Sequence, residues 1–375
     1  MGVQKAMKNQ TQVAVILSKQ LFSTVAKRSN SVFSPASITA AFTMVASGPD
    51  GKGETLKAIL SFLRSSSVEE LNAVYNLISS SVFADGSSFG GPTIKVANGV
   101  WVEQTIPINP SVKPLFENFF KAVFASVDFK SKAEELRLEV NAWAKQHTDG
   151  LIKDLLPPRS VHSFTKSVYG NALYFKGAWE ERFDKAMTMN RDFHLFNGAS
   201  ISVPFMSSYY KRQYVAAYDG FKVLKLPFRQ GGDVNRSFSM YFYLPDGRFG
   251  LDRLVERMAS TPRFLDGYVP RERVAVGEFR IPKFKIEFGF ETSKEFNLGF
   301  DVVDLYHKAC VEVDEEGAEA AAATAVVTSV GCAFVKIDYV SFVADHPFLF
   351  LIREERSGAV LFVGQMCDPS SSVST

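Results

Sequence analysis

The sequence predicts an α+β protein, helix-rich in its N-terminal part and dominated by large mixed β-sheets afterwards. Three observations carry this expectation. Within the first 80 residues apolar side chains recur at helical spacing between recognisable caps. Beyond residue 166 the apolar segments become short runs of Val, Phe, Tyr and Ile, bounded by turn dipeptides such as Asp246-Gly247 and Ser357-Gly358. The third is the Ala-rich stretch from Glu315 to Gly331, which reads two ways. Ala is the best helix former, and Glu315, Glu316 and Glu319 suit a first helical turn. Read with period two, Ala318, Ala320, Ala322, Thr324, Val326, Thr328 and Val330 share one face of small or β-branched side chains. Such a strip is narrow enough to slide between two existing strands.

The elements follow in order. Met1 to Asn30 reads as an amphipathic helix with Val13, Leu17, Leu21 and Val25 along one stripe. Ser34-Pro35 supplies an N-cap and a proline at the first helical position, for a helix through Ala41 and Val45 that Gly48-Pro49 ends. Ser67 and Glu70 form a capping box for a helix carrying Leu71, Val74 and Ile78. Thr93 to Glu103 reads as a strand through Val96, Val100 and Val102, and helical spacing returns over 111–125 and 133–147, stopping at Gly150. Strands are expected at 166–175, 214–226, 237–244, 279–290, 342–353 and 359–366. The 34 Phe residues are read as core packing, not as a ligand site.

With 375 residues, 46% of them hydrophobic and 22% charged, the chain has ample material for a large core. No Pro/Gly/Ser linker separates its periodic segments, so residues 1–375 are expected to form one domain, and no internal repeat is seen. A formal net charge of +2 offers no basic patch that would argue for nucleic acid or an anionic membrane. The N-terminus lacks the pattern of a secretory signal, Ala6 stands where a myristoylation motif wants Ser or Thr, and no apolar run reaches transmembrane length. Three cysteines, Cys310, Cys332 and Cys367, without disulfide or zinc spacing favour a reducing compartment, so the cytosol is expected ahead of an extracellular location. A monomer is expected as well. Sequons at Asn9 and Asn235 would matter only in the secretory pathway.

Catalytic chemistry finds little support. Gly86-Ser87-Ser88-Phe89-Gly90 matches the G-x-S-x-G nucleophile elbow in letters, but Phe83-Ala84-Asp85 is a poor strand and Gly91-Pro92 cannot open a helix, so a surface loop is expected. His147, His162, His194, His307 and His346 are scattered without metal-ligand spacing. His346, between Asp345 and Pro347, is read as a core imidazole satisfied by neighbouring backbone. Gly48 to Gly53 lacks the spacing of a phosphate loop. No cofactor, no metal and no enzymatic activity are expected.

Several blocks, in order along nearly the whole chain, resemble the serpin family. They are Asn30-Ser-Val-Phe-Ser-Pro35; Asn141-Ala-Trp-Ala with Thr148-Asp-Gly-Leu-Ile-Lys-Asp-Leu-Leu-Pro157; Asn171-Ala-Leu-Tyr-Phe-Lys-Gly-Ala-Trp179; the Ala-rich stretch; and Phe342-Val-Ala-Asp-His-Pro-Phe-Leu-Phe-Leu-Ile352. The last block and the missing signal peptide look like the plant serpins of the Z type. The resemblance implies a serpin-like fold with an exposed reactive loop at about 315–341. It implies a suicide-substrate inhibitor of serine proteases, and of cysteine proteases as a second class, whose loop is cleaved as an acyl-enzyme and then inserts into the main sheet. The alternative is a non-inhibitory serpin-fold binding or storage protein whose loop is a plain substrate.

By the family pattern Glu315 and Glu316 begin the hinge, Gly317 gives it backbone freedom, and Ala318, Glu319, Ala320, Ala321, Ala322, Ala323 and Thr324 insert first. Counting forward from the hinge places the reactive bond at Gly331-Cys332, whereas counting back from Phe342 places it at Phe334-Val335. Apolar or small residues at both sites point to elastase-, chymotrypsin- or papain-like targets rather than trypsin-like ones. Only fourteen residues lie between Phe290 and Leu305, where serpins carry a helix and a longer connection. That shortening bears on the edge of the sheet that must open.

Overall fold

The structure, a computed structural model, describes residues 2–208, 212–296, 303–317 and 339–371. Helix α1 (Gly2–Ser23) buries Val13, Leu17 and Leu21. Val25 is off that stripe and exposed, because the helix ends at Ser23 and the amide of Ala26 closes back onto the Leu21 carbonyl. Strand β1 (Ser31–Phe33) leads into α2 (Pro35–Ser47), where the Ser34 hydroxyl accepts the Ser37 amide at 3.1 Å. Every residue of α2 from Pro35 to Ala46 is buried, so this helix is packed on all sides.

Helix α3 (Gly53–Phe62) escapes the sequence reading because its start lacks the usual signals. Lys52 provides no capping side chain and Gly53 has φ +56°. Helix α4 (Val68–Leu77) has half of the expected capping box. The Ser67 hydroxyl accepts the Glu70 amide, but the Glu70 carboxylate takes the Ser66 amide at 2.7 Å. A π-helical turn, Ile78–Val82, extends it.

Strand β2 (Thr93–Glu103) forms as expected. The helix expected over 111–125 is shorter: α5 (Val112–Pro114) and a π-helical turn stop at Phe119, Lys121 reverses the chain at φ +52°, and β3 (Val123–Val127) follows. Asp128 caps α6 (Phe129–His147), and β4 (Ser167–Lys176) comes next. Then follow β5 (Met189–His194), β6 (Ser200–Ser207), β7 (Arg212–Tyr218), β8 (Phe221–Pro227) and β9 (Phe238–Pro245). Helices α7 (Leu251–Ser260) and α8 (Phe264–Gly267) precede β10 (Arg273–Pro282) and β11 (Phe284–Glu291). The chain ends with α9 (Thr292–Glu295), β12 (Val303–Val313), β13 (Val340–Val343), β14 (Phe348–Glu354) and β15 (Val360–Met366).

Three expected strands are each two. The run 214–226 turns at Gly220, with φ +82°, into β7 and β8. The run 279–290 passes from one sheet to the other at Lys283, and 342–353 breaks between Val343 and Phe348. Burial persists on both sides of the latter two junctions, so hydrophobicity does not mark the change of partner.

A ten-stranded sheet runs β1-β15-β14-β9-β8-β7-β10-β6-β5, with β13 pairing β10. A second sheet of five strands has the order β11-β12-β4-β2-β3. The main core lies between the sheets and the N-terminal helices, and it takes Phe33, Phe42, Phe116, Phe120, Phe205 and Phe221. Each buried ring of this kind contributes roughly 1.5–3 kcal/mol.

Candidate functional site

In the five-stranded sheet, β11 pairs antiparallel with β12, and β2 pairs antiparallel with β4. Between them β12 and β4 run parallel, in register from Val303 opposite Ser167 to Cys310 opposite Tyr174. β12 also leads directly into the segment where the hinge is expected. Beyond Val313 the chain turns, with Asp314 and Gly317 bridged by two backbone hydrogen bonds of 3.4 Å. Gly317 sits at φ +104°, and a Cβ there would collide with the Gly177 carbonyl and the Trp179 amide, so only glycine fits.

This turn is anchored from the far end of β4. The Trp179 amide donates to the Glu316 carbonyl at 3.0 Å, the Trp179 indole to the Asp314 carbonyl at 2.8 Å, and the Phe183 amide to the Glu315 carbonyl at 2.9 Å. Trp179 is itself fixed by stacking on Phe228 at 4.6 Å. The Glu315 carboxylate, 3% exposed, takes a 2.8 Å ion pair from Lys283 and a 2.6 Å hydrogen bond from the Thr188 hydroxyl. Burial alone would raise its pKa, but these two donors outweigh it and hold the group below the ordinary glutamate value. Glu316 pairs with Lys185 at 2.5 Å.

Beneath the parallel pair lies a buried polar network. His307 of β12 accepts the Ser34 amide on Nε2 at 3.0 Å, which fixes the proton on Nδ1, and Nδ1 then donates to Asn171 Oδ1 of β4 at 3.0 Å. The Ser37 hydroxyl bonds the same oxygen, and Asn171 donates to Asn98 Oδ1 of β2 at 2.8 Å. Burial pushes the His307 pKa down to about 3. This network ties the start of α2 to three neighbouring strands.

The outer face is crossed by α6 and the segment that follows it. One apolar cluster joins Trp101 of β2, Val140 and Ala144 of α6, Leu155 and Leu156 beyond it, Val168 of β4 and Tyr306 of β12. Lys308 of β12 donates to the carbonyls of Lys153 and Asp154 at 3.3 and 3.4 Å, and Tyr306 to that of Ser160 at 3.3 Å. Residues 148–161 therefore bridge the line between β4 and β12.

The profile of the Serpin family, described as serine protease inhibitor, matches residues 8–298 and 293–369. The chain belongs to the serpin family. Among its relatives, Serpin-Z2 of Arabidopsis thaliana is 59% identical over 372 residues, covering 98% of this chain and 90% of that protein. The probable non-inhibitory serpin-Z5 of the same plant is 60% identical over 374 residues, covering 98% of this chain and 86% of that one. The solved structure of Arabidopsis AtSerpin1, described as the native stressed conformation, superposes with a TM-score of 0.89 at 44% identity, covering 99% of this chain and all of that one. These similarities lie with the plant Z-type serpins.

Of the residues the sequence singled out in this serpin, Glu315, Glu316 and Gly317 occupy the turn just described. Ala318 to Thr324, both candidate bonds, Gly331-Cys332 and Phe334-Val335, lie outside the described residues. His307 and its asparagines were missed because their partners are remote: Ser34 is 273 residues away and Asn171 is 136. Ser88 sits on an exposed 3-10 turn closed by Gly90 at φ +74°, as expected of a loop. His346 is buried, with Nε2 2.7 Å from the Pro245 carbonyl and Nδ1 2.7 Å from Asp345. Cys310 and Cys367 are buried free thiols, their pKa values pushed up by burial to about 11 and about 12. Among the described residues no group of His, Cys, Asp and Glu is arranged to hold a metal ion, and no helix is long and apolar enough to cross a membrane.

Proposed function

We propose that this serpin is a suicide-substrate inhibitor of serine proteases, with papain-like cysteine proteases as a second target class, acting by cleavage of its loop and insertion of the freed segment between β4 and β12. The observation that carries the reading is the turn at Asp314 to Gly317 beside a parallel strand pair. A chain folding back there runs antiparallel to β12, and hence to β4 as well. Extending the Asp314-Gly317 register sets Ala318 opposite Val313, Ala320 opposite Val311, Ala322 opposite Ala309 and Thr324 opposite His307. Val313, Val311 and Ala309 all belong to the main core. The small-residue strip would thus enter on the face where space is scarcest, while Glu319 would fall opposite the half-exposed Glu312, beside Lys285. Insertion would replace one parallel ladder by two antiparallel ones, which pair slightly better per residue. About 14 inserted residues would carry a tethered protease about 45 Å.

A second reading, a non-inhibitory serpin, draws on the 60% identity to a relative named probable non-inhibitory and on the short connection between β11 and β12. Incubation with elastase-, chymotrypsin-, papain- and trypsin-like proteases separates the two. A covalent complex that survives SDS is expected with the first three; clean loop cleavage without a complex supports the second reading. Mass spectrometry of the released C-terminal fragment is expected to place the bond at Gly331-Cys332 or Phe334-Val335, and a fragment starting outside 331–336 overturns both. The buried thiols of Cys310 and Cys367 support a reducing compartment, and the cytosol remains our proposal.

A further inference from the structure

Helices α7 and α8 are joined by Thr261-Pro262-Arg263, which follows Ser260 at the last turn of α7. A proline disfavours the helical region for the residue before it, and Thr261 is extended, at φ −93° and ψ 117°. Arg263 then reverses the chain at φ +55°, a left-handed conformation that costs a non-glycine residue energy. Its carbonyl accepts the amides of Asp266 and Gly267 at 3.0 and 2.9 Å, which fixes the corner. Ser260, Pro262 and Arg263 are exposed, and among the described residues the Thr261 hydroxyl has no hydrogen-bond partner and stays open to solvent.

Two kinase signals overlap at this corner. Arg257, three residues before Ser260, suits an arginine-directed kinase, and Thr261-Pro262 suits a proline-directed one. The structure separates them. The Arg257 guanidinium donates to the Asp219 carbonyl and lies over the rings of Phe221 and Tyr268 at 5.2 and 5.8 Å, so it is already engaged. Ser260 is still helical, and its hydroxyl turns back to the Arg257 carbonyl at 3.3 Å. A kinase cleft takes its acceptor as an extended segment, and Thr261 already has that shape. The chain's other Ser/Thr-Pro pair, Ser34-Pro35, is closed off: Ser34 is fully buried, caps α2 and gives its amide to His307.

We propose that Thr261 is a phosphorylation site for a proline-directed serine/threonine kinase, and that its phosphate pairs with Arg263. Thr261 Oγ1 attacks the γ-phosphorus of ATP, ADP leaves, and the hydroxyl proton passes to the kinase's catalytic aspartate. The modified side chain carries a charge of about −1.5 to −2 beside the C-terminal carbonyls of α7, where negative charge is disfavoured. Arg263 is placed to answer it. Its side chain is 66% exposed and meets Asp266 only at 3.5 Å, and Asp266 keeps a 2.5 Å pair with Arg353 when Arg263 turns away. None of this depends on protease inhibition.

The intact full-length protein, incubated with ATP and a kinase of the mitogen-activated or cyclin-dependent type, is expected to gain a phosphate that mass spectrometry maps to Thr261. Thr261→Val should abolish this phosphate, and Pro262→Ala should slow its transfer by about tenfold or more, because the residue before position 262 is then no longer held extended. An unmodified Thr261 in the wild type, a phosphate on Ser260 in its place, or an equal rate in Pro262→Ala overturns the assignment. Phosphorus NMR reads the pairing separately. The second phosphate pKa, about 6 when unpaired, should lie lower in the phosphorylated wild type than in phosphorylated Arg263→Gln. Equal titration in the two proteins overturns the pairing with Arg263.

Discussion

Glu315 shows how much can rest on one carboxylate. It lies almost wholly inside the protein, and its partners Thr188 and Lys283 come from segments that are 127 and 32 residues distant. Glu315→Gln leaves Lys283 without its counter-charge, but Lys283 is 35% exposed and can turn to water. A loss of about 1–3 kcal/mol in urea unfolding is expected. Glu315→Lys should cost more, and adding Lys283→Glu should recover part of it; no recovery would mean that packing, not pairing, sets the effect. His307 gives a pH prediction. Its folded pKa, about 3, is below the unfolded value near 6.5, so the unfolded chain binds more protons in that window. Stability is therefore expected to fall as pH drops below about 6.5, by at most about 1.4 kcal/mol per pH unit. His307→Gln should flatten this part of the curve, and an equal slope in the variant would count against the assignment. Thiol labelling of the folded protein should modify Cys332 quickly and the buried Cys310 and Cys367 slowly. Equal labelling of all three contradicts this.

Among the elements, the extended register makes the sharpest demand. Ala320 and Ala322 are assigned to the core face opposite Val311 and Ala309, so Ala320→Glu or Ala322→Arg would have to bury an unpaired charge on insertion. Both variants are expected to be cleaved without forming the SDS-stable complex; unchanged inhibitory stoichiometry in both would sink the insertion argument. The need for glycine at the turn after β12 was legible in the sequence because its signals are local, two acids and a glycine in one stretch. The strands beside it were less legible. The two halves of 279–290 are apolar alike, and only their pairing shows that β10 and β11 serve different sheets. The polar network under the β4/β12 pair had no local signature at all, since Asn98 and Asn171, 73 residues apart, look like ordinary strand polar residues until the fold brings them to His307.

For the molecule as a whole, the proposed function requires that the intact form not be the most stable one the chain can reach. Cleavage at the loop by a non-target protease is expected to raise the melting temperature markedly despite the lost peptide bond, because the new strand adds backbone pairing and apolar burial. An unchanged melting temperature after confirmed cleavage would move the assignment to the non-inhibitory reading. The fold class and the order of helices before strands were readable from sequence, since they depend on periodicity and caps. The parallel pairing of β4 and β12 was not, because its partners, such as Asn171 and His307, are 136 residues apart and neither strand carries a local mark of the other.

The parallel pairing of β4 and β12 has one more consequence. Were this seam to open as proposed, its backbone edges would carry no mark of ownership, and any chain with the same alternation of small side chains would compete for them on equal terms of shape. On the proposed mechanism, what would favour the protein's own segment is its tether, which would supply an effective concentration of the order of millimolar. A synthetic peptide with the sequence of residues 318–328 at such concentrations should occupy the seam, stabilise the protein against heat and abolish complex formation. If the proposed insertion operates, crowded and warmed neighbouring molecules would offer one another the same segment and link head to tail, and the same seam would set how concentrated, and for how long, the protein can be kept.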